Sequence, residues 1–449
     1  MGRLFGTDGA RGVANTELSP ELAMNIGRAA AMVLINKDTE RPKVLIGKDT
    51  RLSSDLLEGA LIAGLCSVGA DVVKLGVVPT PAVAYLIEKY KADAGIMISA
   101  SHNPFEFNGI KIFNKDGFKL PDKLEEEIEA IVLDSARPFP KFSGDKLGCV
   151  TEARSAVNDY IAHIISTVDY SLEGMEIALD CSNGSSSKTA EKLFTALGAK
   201  CHMLFDKPNG VNINDNCGST HMEKLMDYVK HHKLDCGMAF DGDADRCLAV
   251  DENGNLVDGD FIIAICAQDM KNRNILSKNA VVGTILTNMG FNKFCEKEDI
   301  KFVGTKVGDR YVLEAMKNDG YNLGGEQSGH VIFLDHCTTG DGQMTAAQLL
   351  SMMNRRKEKL SDMAKLMTRM PQVMINVKIS NAGKQQLDSD EVIKSELEKA
   401  KENLGDRGRI LVRPSGTEPL IRVMTEGADK DEISAVAESI ARVIEDRLS

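Results

Sequence analysis

Three stretches of the chain run through the same order of elements: an apolar β-type run, a polar loop, a helix, a short strand, a second helix and a third strand that ends on a polar loop. The first goes "KVLIGKDTR", a helix to Gly69, "DVVKLG", "TPAVAYLIEKY", "AGIMISASHNP"; the second goes "MEIALDCSNG", a helix to Gly198, "AKCHMLF", "HMEKLMDYVKHH", "DCGMAFDGDADR". The third goes "NAVVGTILTN", a helix over "FNKFCEK", "IKFVGT", "DRYVLEAMKND", "YNLGGEQSGH". Strands that are apolar throughout need cover on both faces, and strands joined by helices run parallel. Each stretch therefore predicts a βαβαβ unit, used three times. The punctuation agrees. Ser19 and Thr80 each precede a proline and read as helix-capping hydroxyls, and Gly69 and Gly198 read as left-handed helix ends.

After about residue 370 the rhythm changes to "VMINVKIS", a charged helix over "SDEVIKSELEKAKENL", two strands around "RPSGTEP", and a final helix over "KDEISAVAESIARVIEDRL". Strands with helices on one face make an α+β domain. With 449 residues the chain is too long for one core at ~150 residues per domain. Boundaries fall at the Pro/Gly-rich "ARPFPKFSGDKLG", at "DENGN" and at "TRMPQ". The expected fold class is α/β: three similar βαβαβ domains with mostly parallel mixed sheets, over 1–155, 156–255 and 256–369, plus a C-terminal α+β domain over 370–449.

Composition removes several function classes. A charged fraction of 27% against 43% hydrophobic is ordinary for a folded protein, and no run approaches the 18 apolar residues of a membrane span. The N-terminal "MGRLFGTDGARG" lacks the pattern of a secretion signal, so a cytoplasmic, non-membrane protein is expected. Ten cysteines are scattered singly, with no pair at zinc spacing, and read as reduced core residues. A net charge of −12 with no basic tract argues against nucleic acid. Anion binding must then come from local Arg and Lys.

In open α/β sheets ligands bind beyond the carboxyl ends of the strands, which is where the repeats place their polar loops. In "SASHNP", Ser101 is a hydroxyl nucleophile with His102 beside it as a base, and Lys111 follows on the returning strand. In "DGDADR", Asp241, Asp243 and Asp245 alternate; converging carboxylates need a hard cation, and an oxygen-only set favours Mg²⁺. An EF-hand is excluded because Arg246 replaces the glycine that loop requires and the flanks read as strands. In "GGEQSGH", Glu326 and Ser328 alternate toward one side and suit neighbouring sugar hydroxyls, with His330 as an acid/base. In "RPSGTEP", Arg413 offers a guanidinium fork, and Ser415, Gly416 and Thr417 offer hydroxyls and N–H groups to a phosphate. "GTDGARG" and "GKDTR" add Arg11, Lys48 and Arg51. A nucleophilic serine, a Mg²⁺ site, a hydroxyl grip and a phosphate clamp together describe phosphoryl transfer on a phosphorylated sugar.

"SASHNP", "DGDADR", "GGEQSGH" and "RPSGTEP", in that order across nearly the whole chain, resemble the α-D-phosphohexomutase superfamily. The resemblance implies an active site in a central cleft and a phosphoserine at Ser101, with Ser101, Asp241, Asp243 and Asp245 holding one Mg²⁺ per subunit. It also implies that Glu326 and Ser328 bind sugar hydroxyls, that the loop from Arg413 to Thr417 binds the existing phosphate, and that a sugar 1,6-bisphosphate serves as intermediate and activator. "GTDGARGVANTELSPELA" and "NINDNCGSTH" resemble the members that interconvert glucosamine 6-phosphate and glucosamine 1-phosphate for UDP-N-acetylglucosamine and cell-wall precursors. Met222 stands where those members usually have proline. Arg11, Lys111, Arg246 and His330 are unranked candidates for charge neutralisation and proton transfer. The expected partner is a small-molecule sugar phosphate, with a homodimer as the assembly considered. A glucose or mannose phosphate mutase, a Mg²⁺-dependent phosphatase and a non-catalytic sugar-phosphate binder are the competing readings.

Overall fold

The structure is a computed structural model and describes residues 3–6, 8–34, 41–415 and 419–448. It falls into two compact units, Met1–Leu286 with Asp299–Leu366, and Thr287–Glu298 with Met367–Ser449. The first unit holds three sheets and the second holds one.

Each of the three sheets has the same parallel core. In the first, Lys43–Lys48 lies between Asp71–Val77 and Ala94–Ile98 and is parallel to both. In the second, Glu176–Asp180 lies between Lys200–Leu204 and Cys236–Phe240. In the third, Ala280–Thr284 lies between Lys301–Thr305 and Leu323–Gly325. The strand that comes third in each repeat then turns back into an antiparallel partner: Phe107–Asn114, Cys247–Asp251 and Val331–Phe333. The sheets are thus mixed with parallel cores. The first is extended to seven strands by Gly9–Val13 and Phe5–Gly6 on one side and Val150–Glu152 on the other. Ala94–Ile98 and Cys236–Phe240 are buried at every position, as expected for strands covered on both faces.

Ser19 caps its helix, its Oγ accepting from Leu22 N at 3.2 Å. Gly69 and Gly198 take positive φ of 87° and 102°, so both end their helices as read from the sequence. Thr80 does not cap. The helix there is Thr80–Lys89 with no side-chain cap, and the Thr80 hydroxyl is directed into the interior instead. Met222, where the resembling proteins carry proline, stands one residue before the helix Glu223–His232.

The second unit contains a three-stranded antiparallel sheet with Leu420–Gly427 between Gln372–Lys378 and Gly408–Pro414. Glu391–Leu404 and Lys430–Leu448 cover it, the latter through Ile433, Ala437, Ile440 and Ile444. The helix Met289–Lys297 joins Ala280–Thr284 to Lys301–Thr305, as the third repeat expects, and by its contacts groups with this unit. Asn288 explains the attachment: its Oδ1 accepts from Met370 N and its Nδ2 donates to Met370 O.

The helices Pro20–Leu34 and Leu52–Ser67 approach closely over the first sheet because Gly27 and Gly64 face each other's helix. A Cβ on Gly64 would overlap the Met24 carbonyl oxygen. Alanine favours a helix interior over glycine by about 0.5–1 kcal/mol, and overpacking against backbone costs about 1–3 kcal/mol. Gly64→Ala should therefore be net destabilising in urea unfolding followed by circular dichroism. Unchanged or increased stability would show that the helices can part freely.

Candidate active site

The loop between each third strand and its antiparallel return carries one of the polar motifs: 99–106, 241–246 and 326–330. The equivalent topology puts them at equivalent strand ends.

Ser101 is 1% exposed and adopts φ 52°, a left-handed conformation that costs a non-glycine residue about 1–2 kcal/mol. Its N–H donates to Ser99 Oγ at 3.0 Å. The backbone turn delivers the hydroxyl to Asp241, whose Oδ2 accepts from Ser101 Oγ at 2.6 Å. His102, the base expected from its position, stands beside Ser101. Its Nδ1 lies 3.4 Å from Ser101 Oγ and accepts from Arg246 Nη1 at 3.3 Å. Burial, then the Arg246 and Arg11 charges, pull the imidazole down to about 4, so it is neutral near pH 7 and a weak proton acceptor.

Asp241, Asp243 and Asp245 are all buried, with ligand oxygens within 4.8 Å of one another. Burial, and then the Asp245 and Asp243 charges, push the Asp241 carboxyl well above the usual range. Asp243 Oδ2 accepts from Lys111 Nζ at 2.7 Å and from Thr80 Oγ1 at 2.5 Å. Asp243 Oδ1 and Asp245 Oδ1 are buried without a hydrogen-bond donor. Two orphaned carboxylate oxygens beside a third carboxylate form a hard, anionic donor set, and this set fits Mg²⁺.

A layer of cations backs the aspartates. Lys111, 1% exposed, sits 2.7 Å from Asp243, 3.0 Å from Asp8 and 3.4 Å from Asp245. Burial opposes its charge, but the Asp243, Asp8 and Asp245 carboxylates outweigh it and raise the lysine well above its ordinary value. Asp8 also pairs with Arg11 and, at 2.6 Å, with Lys119. Lys119 reaches Asp309 at 2.5 Å. His330 is 3% exposed, with Nδ1 3.7 Å from Asp245 Oδ1 and Nε2 3.6 Å from Asp309 Oδ2. Gly340 N–H donates to Nε2 at 3.0 Å, which places the ring proton of neutral His330 on Nδ1, toward Asp245.

Glu326 Oε1 accepts from Gly308 N at 3.2 Å, and both Glu326 and Ser328 are half-buried. Ser328 Oγ is buried and has no hydrogen-bond partner among the described residues. In the second unit, Arg413 lies directly opposite Arg422 across the antiparallel pair. Burial, then Arg422, lowers the Arg413 guanidinium from its ordinary value. Like charges facing each other across strands are unfavourable, and an anion between them would relieve the repulsion. Ser415 is 4% exposed and its N–H donates to Leu420 O. Gly416 and Thr417 lie outside the described residues.

Sequence reasoning missed Asp8, Thr80 in this role, Lys119, Asp309, Asn214 and Arg422. Asp8 stands in the "GTDGARG" loop already noted for Arg11, and Arg422 follows directly from the "RPSGTEP" hairpin, so both had a local signal. The others join the site through contacts more than a hundred residues away.

The chain matches four family descriptions in succession: "Phosphoglucomutase/phosphomannomutase, alpha/beta/alpha domain I" over residues 2–137, domain II over 158–254, domain III over 258–370 and "C-terminal domain" over 374–443. The fold is that of a phosphohexomutase, and the chain belongs to the phosphoglucomutase/phosphomannomutase family. A curated relative from Clostridium novyi, named phosphoglucosamine mutase, is 54% identical over 100% of this chain and 99% of its own length. The fold is also that of a phosphoglucomutase/phosphomannomutase family protein from Burkholderia thailandensis, with TM-score 0.84 and 23% identity over 99% of this chain and 98% of that one. Aspergillus fumigatus N-acetylphosphoglucosamine mutase, solved in complex with GlcNAc-6P and magnesium, matches with TM-score 0.69 and 16% identity over 99% of this chain and 96% of that one.

Titration calorimetry with Mg²⁺ tests the aspartate cluster apart from turnover. Asp243→Asn removes an anionic donor and should abolish measurable binding. Thr80→Val removes only the hydroxyl that orients Asp243 and should weaken binding by about 10-fold or more. Wild-type affinity in Asp243→Asn would place the cation elsewhere.

Proposed function

We propose that the protein interconverts glucosamine 6-phosphate and glucosamine 1-phosphate, through a phosphate carried on Ser101 and a bisphosphorylated sugar intermediate. The observation that carries this reading is the buried Ser101 hydroxyl donating to Asp241 at 2.6 Å, inside a cluster of three aspartates. The choice of amino sugar rests on relatives 50–54% identical over their full lengths and named phosphoglucosamine mutase.

In the forward direction the free C1 hydroxyl attacks the phosphoserine phosphorus. The bond from phosphorus to Ser101 Oγ breaks as the bond to the sugar oxygen forms, leaving glucosamine 1,6-bisphosphate. The intermediate then reorients, and its C6 phosphoryl group transfers to Ser101 Oγ, releasing glucosamine 1-phosphate. In unphosphorylated Ser101 the hydroxyl proton points at Asp241 Oδ2, so an acceptor is at hand when the phosphoryl group returns. Asp241, Asp243, Asp245 and the phosphorylated Ser101 would hold Mg²⁺, which neutralises phosphoryl charge when bound. Lys111 and Arg11, backed by Asp8, would offset the −1.5 to −2 charges that a phosphoserine carries. Glu326 and Ser328 would grip the sugar hydroxyls. Arg413, Ser415, Gly416 and Thr417 would hold the phosphate that is not reacting.

A supplied sugar 1,6-bisphosphate would recharge Ser101 whenever the intermediate escapes. The product suits UDP-N-acetylglucosamine and cell-wall precursor synthesis, and a cytoplasmic homodimer belongs to the same proposal. Among the described residues no helix is long and apolar enough to cross a membrane.

A coupled assay on glucosamine, glucose and mannose phosphates, at matched Mg²⁺ and with the matching bisphosphate, tests the proposal. The highest kcat/KM should fall to glucosamine phosphate, and Ser101→Ala should lose turnover on all three. A preference for glucose or mannose phosphate would overturn the choice of sugar. Full turnover by Ser101→Ala would overturn the mechanism.

A further inference from the structure

Two side chains from different sheets close on the backbone of the Ser101 loop. Arg51 Nη2 donates to the carbonyl oxygens of Ser101 at 3.2 Å and Asn103 at 2.5 Å. Asn214 Nδ2 donates to the same two oxygens, each at 2.9 Å. Each carbonyl therefore receives two donors, filling both of its lone pairs.

Both donors are held in place. Arg51 is 2% exposed and its guanidinium pairs with Asp49, whose Oδ1 also accepts from Arg51 N and Ser54 Oγ. Asn214 is 8% exposed and stands in a left-handed conformation with φ 59°, its N–H donating to Ser182 O at 2.9 Å. Gly242, in the aspartate loop, leaves the space the grip requires. A Cβ there would come within 2.5 Å of Ser101 O and 3.0 Å of Asn214 Nδ2.

None of these donors touches the Ser101 hydroxyl or the three aspartates. The grip acts on main-chain oxygens, which are the same whether or not Oγ carries a phosphate. A phosphoryl group arriving at Ser101 brings strong negative charge and would pull a loosely held loop toward Arg11, Lys111 and Arg246. We propose that Arg51 and Asn214 are positioning residues: a clamp, indifferent to phosphorylation, that keeps the Ser101 loop in register with the aspartates through both transfers. The role in turnover rests on Ser101 being the phosphate carrier.

Arg51→Ala would strand the buried Asp49 carboxylate, so Asn214 is the cleaner test. Asn214→Gly removes the amide while glycine adopts the left-handed backbone without strain. Asn214→Asp keeps the shape but turns an acceptor toward two carbonyl acceptors. Three quantities would be measured on the full chain: kcat and KM, the ³¹P resonance of the phosphoserine, and hydrogen exchange of the peptide spanning 99–106 with and without phosphate on Ser101. For Asn214→Gly, kcat should fall about 10- to 100-fold with KM little changed. The ³¹P line should shift or broaden, exchange should quicken in both phosphorylation states, and Asn214→Asp should be worse on each count. Wild-type exchange in both variants, or faster exchange with wild-type kcat, would overturn the clamp. A wild-type protein that never carries phosphate on Ser101 would instead overturn the carrier reading, and exchange in the unphosphorylated protein would still judge the clamp.

Discussion

Buried like charge is the constraint around which the first unit is organised. Asp241, Asp243 and Asp245 bring three carboxylates within 4.8 Å of one another, and Asp8 and Asp309 lie just behind them. Such a group cannot stay ionised in a protein interior without compensating positive charge. Lys111, Lys119, Arg11 and Arg246 supply four cations, each in contact with one or more of these acids. Among the described residues Asp243 Oδ1 has no donor, so the cluster is least compensated on that side. A divalent cation and a phosphoryl group of opposite charge can then enter together with little change in net charge. This balance is what phosphoryl transfer requires, because the chemistry is positioning plus neutralisation.

The repeated topology delivers these groups. An antiparallel return after the third strand of each parallel core leaves a short loop at the same end of these three sheets, and the loops differ in length and in what they carry. Strands buried on both faces hold the loop ends rigidly, so the strained φ of Ser101 can be sustained by its surroundings. The return strand has a second use, since Lys111 rides on it, paired in register with Met97. Ser101 and Lys111 are thus fixed by one hairpin, and the aspartates by the next.

Much of this was legible in the sequence because the chemistry sits where strands end. The apolar runs located the strands, and the loops after them named Ser101, the aspartates, Glu326 and Ser328. Thr80 was misread because a hydroxyl before proline has the same sequence signature whether it caps a helix or turns inward to Asp243. Lys119 and Asp309 gave no signal, since each is one polar residue in an ordinary loop or helix start and acquires its partner only when the sheets pack, while Asn214 lay within the quoted "NINDNCGSTH" but its contact with the Ser101 loop was not legible there. The helix Met289–Lys297 was legible in its place between two strands of the third repeat, but the pairing of Asn288 with Met370 is one that periodicity does not encode.

The central claim is that Ser101 holds a phosphoryl group and returns it to sugar rather than to water. The direct measurement is a single-turnover transfer. Protein labelled with ³²P on Ser101 is mixed with unlabelled glucosamine 6-phosphate and Mg²⁺, and the products are separated by charge. The label should leave Ser101 and appear in sugar bisphosphate and sugar monophosphate, with little inorganic phosphate. Label released chiefly as inorganic phosphate would mark a phosphatase, and label that stays on the protein would deny Ser101 any part in turnover.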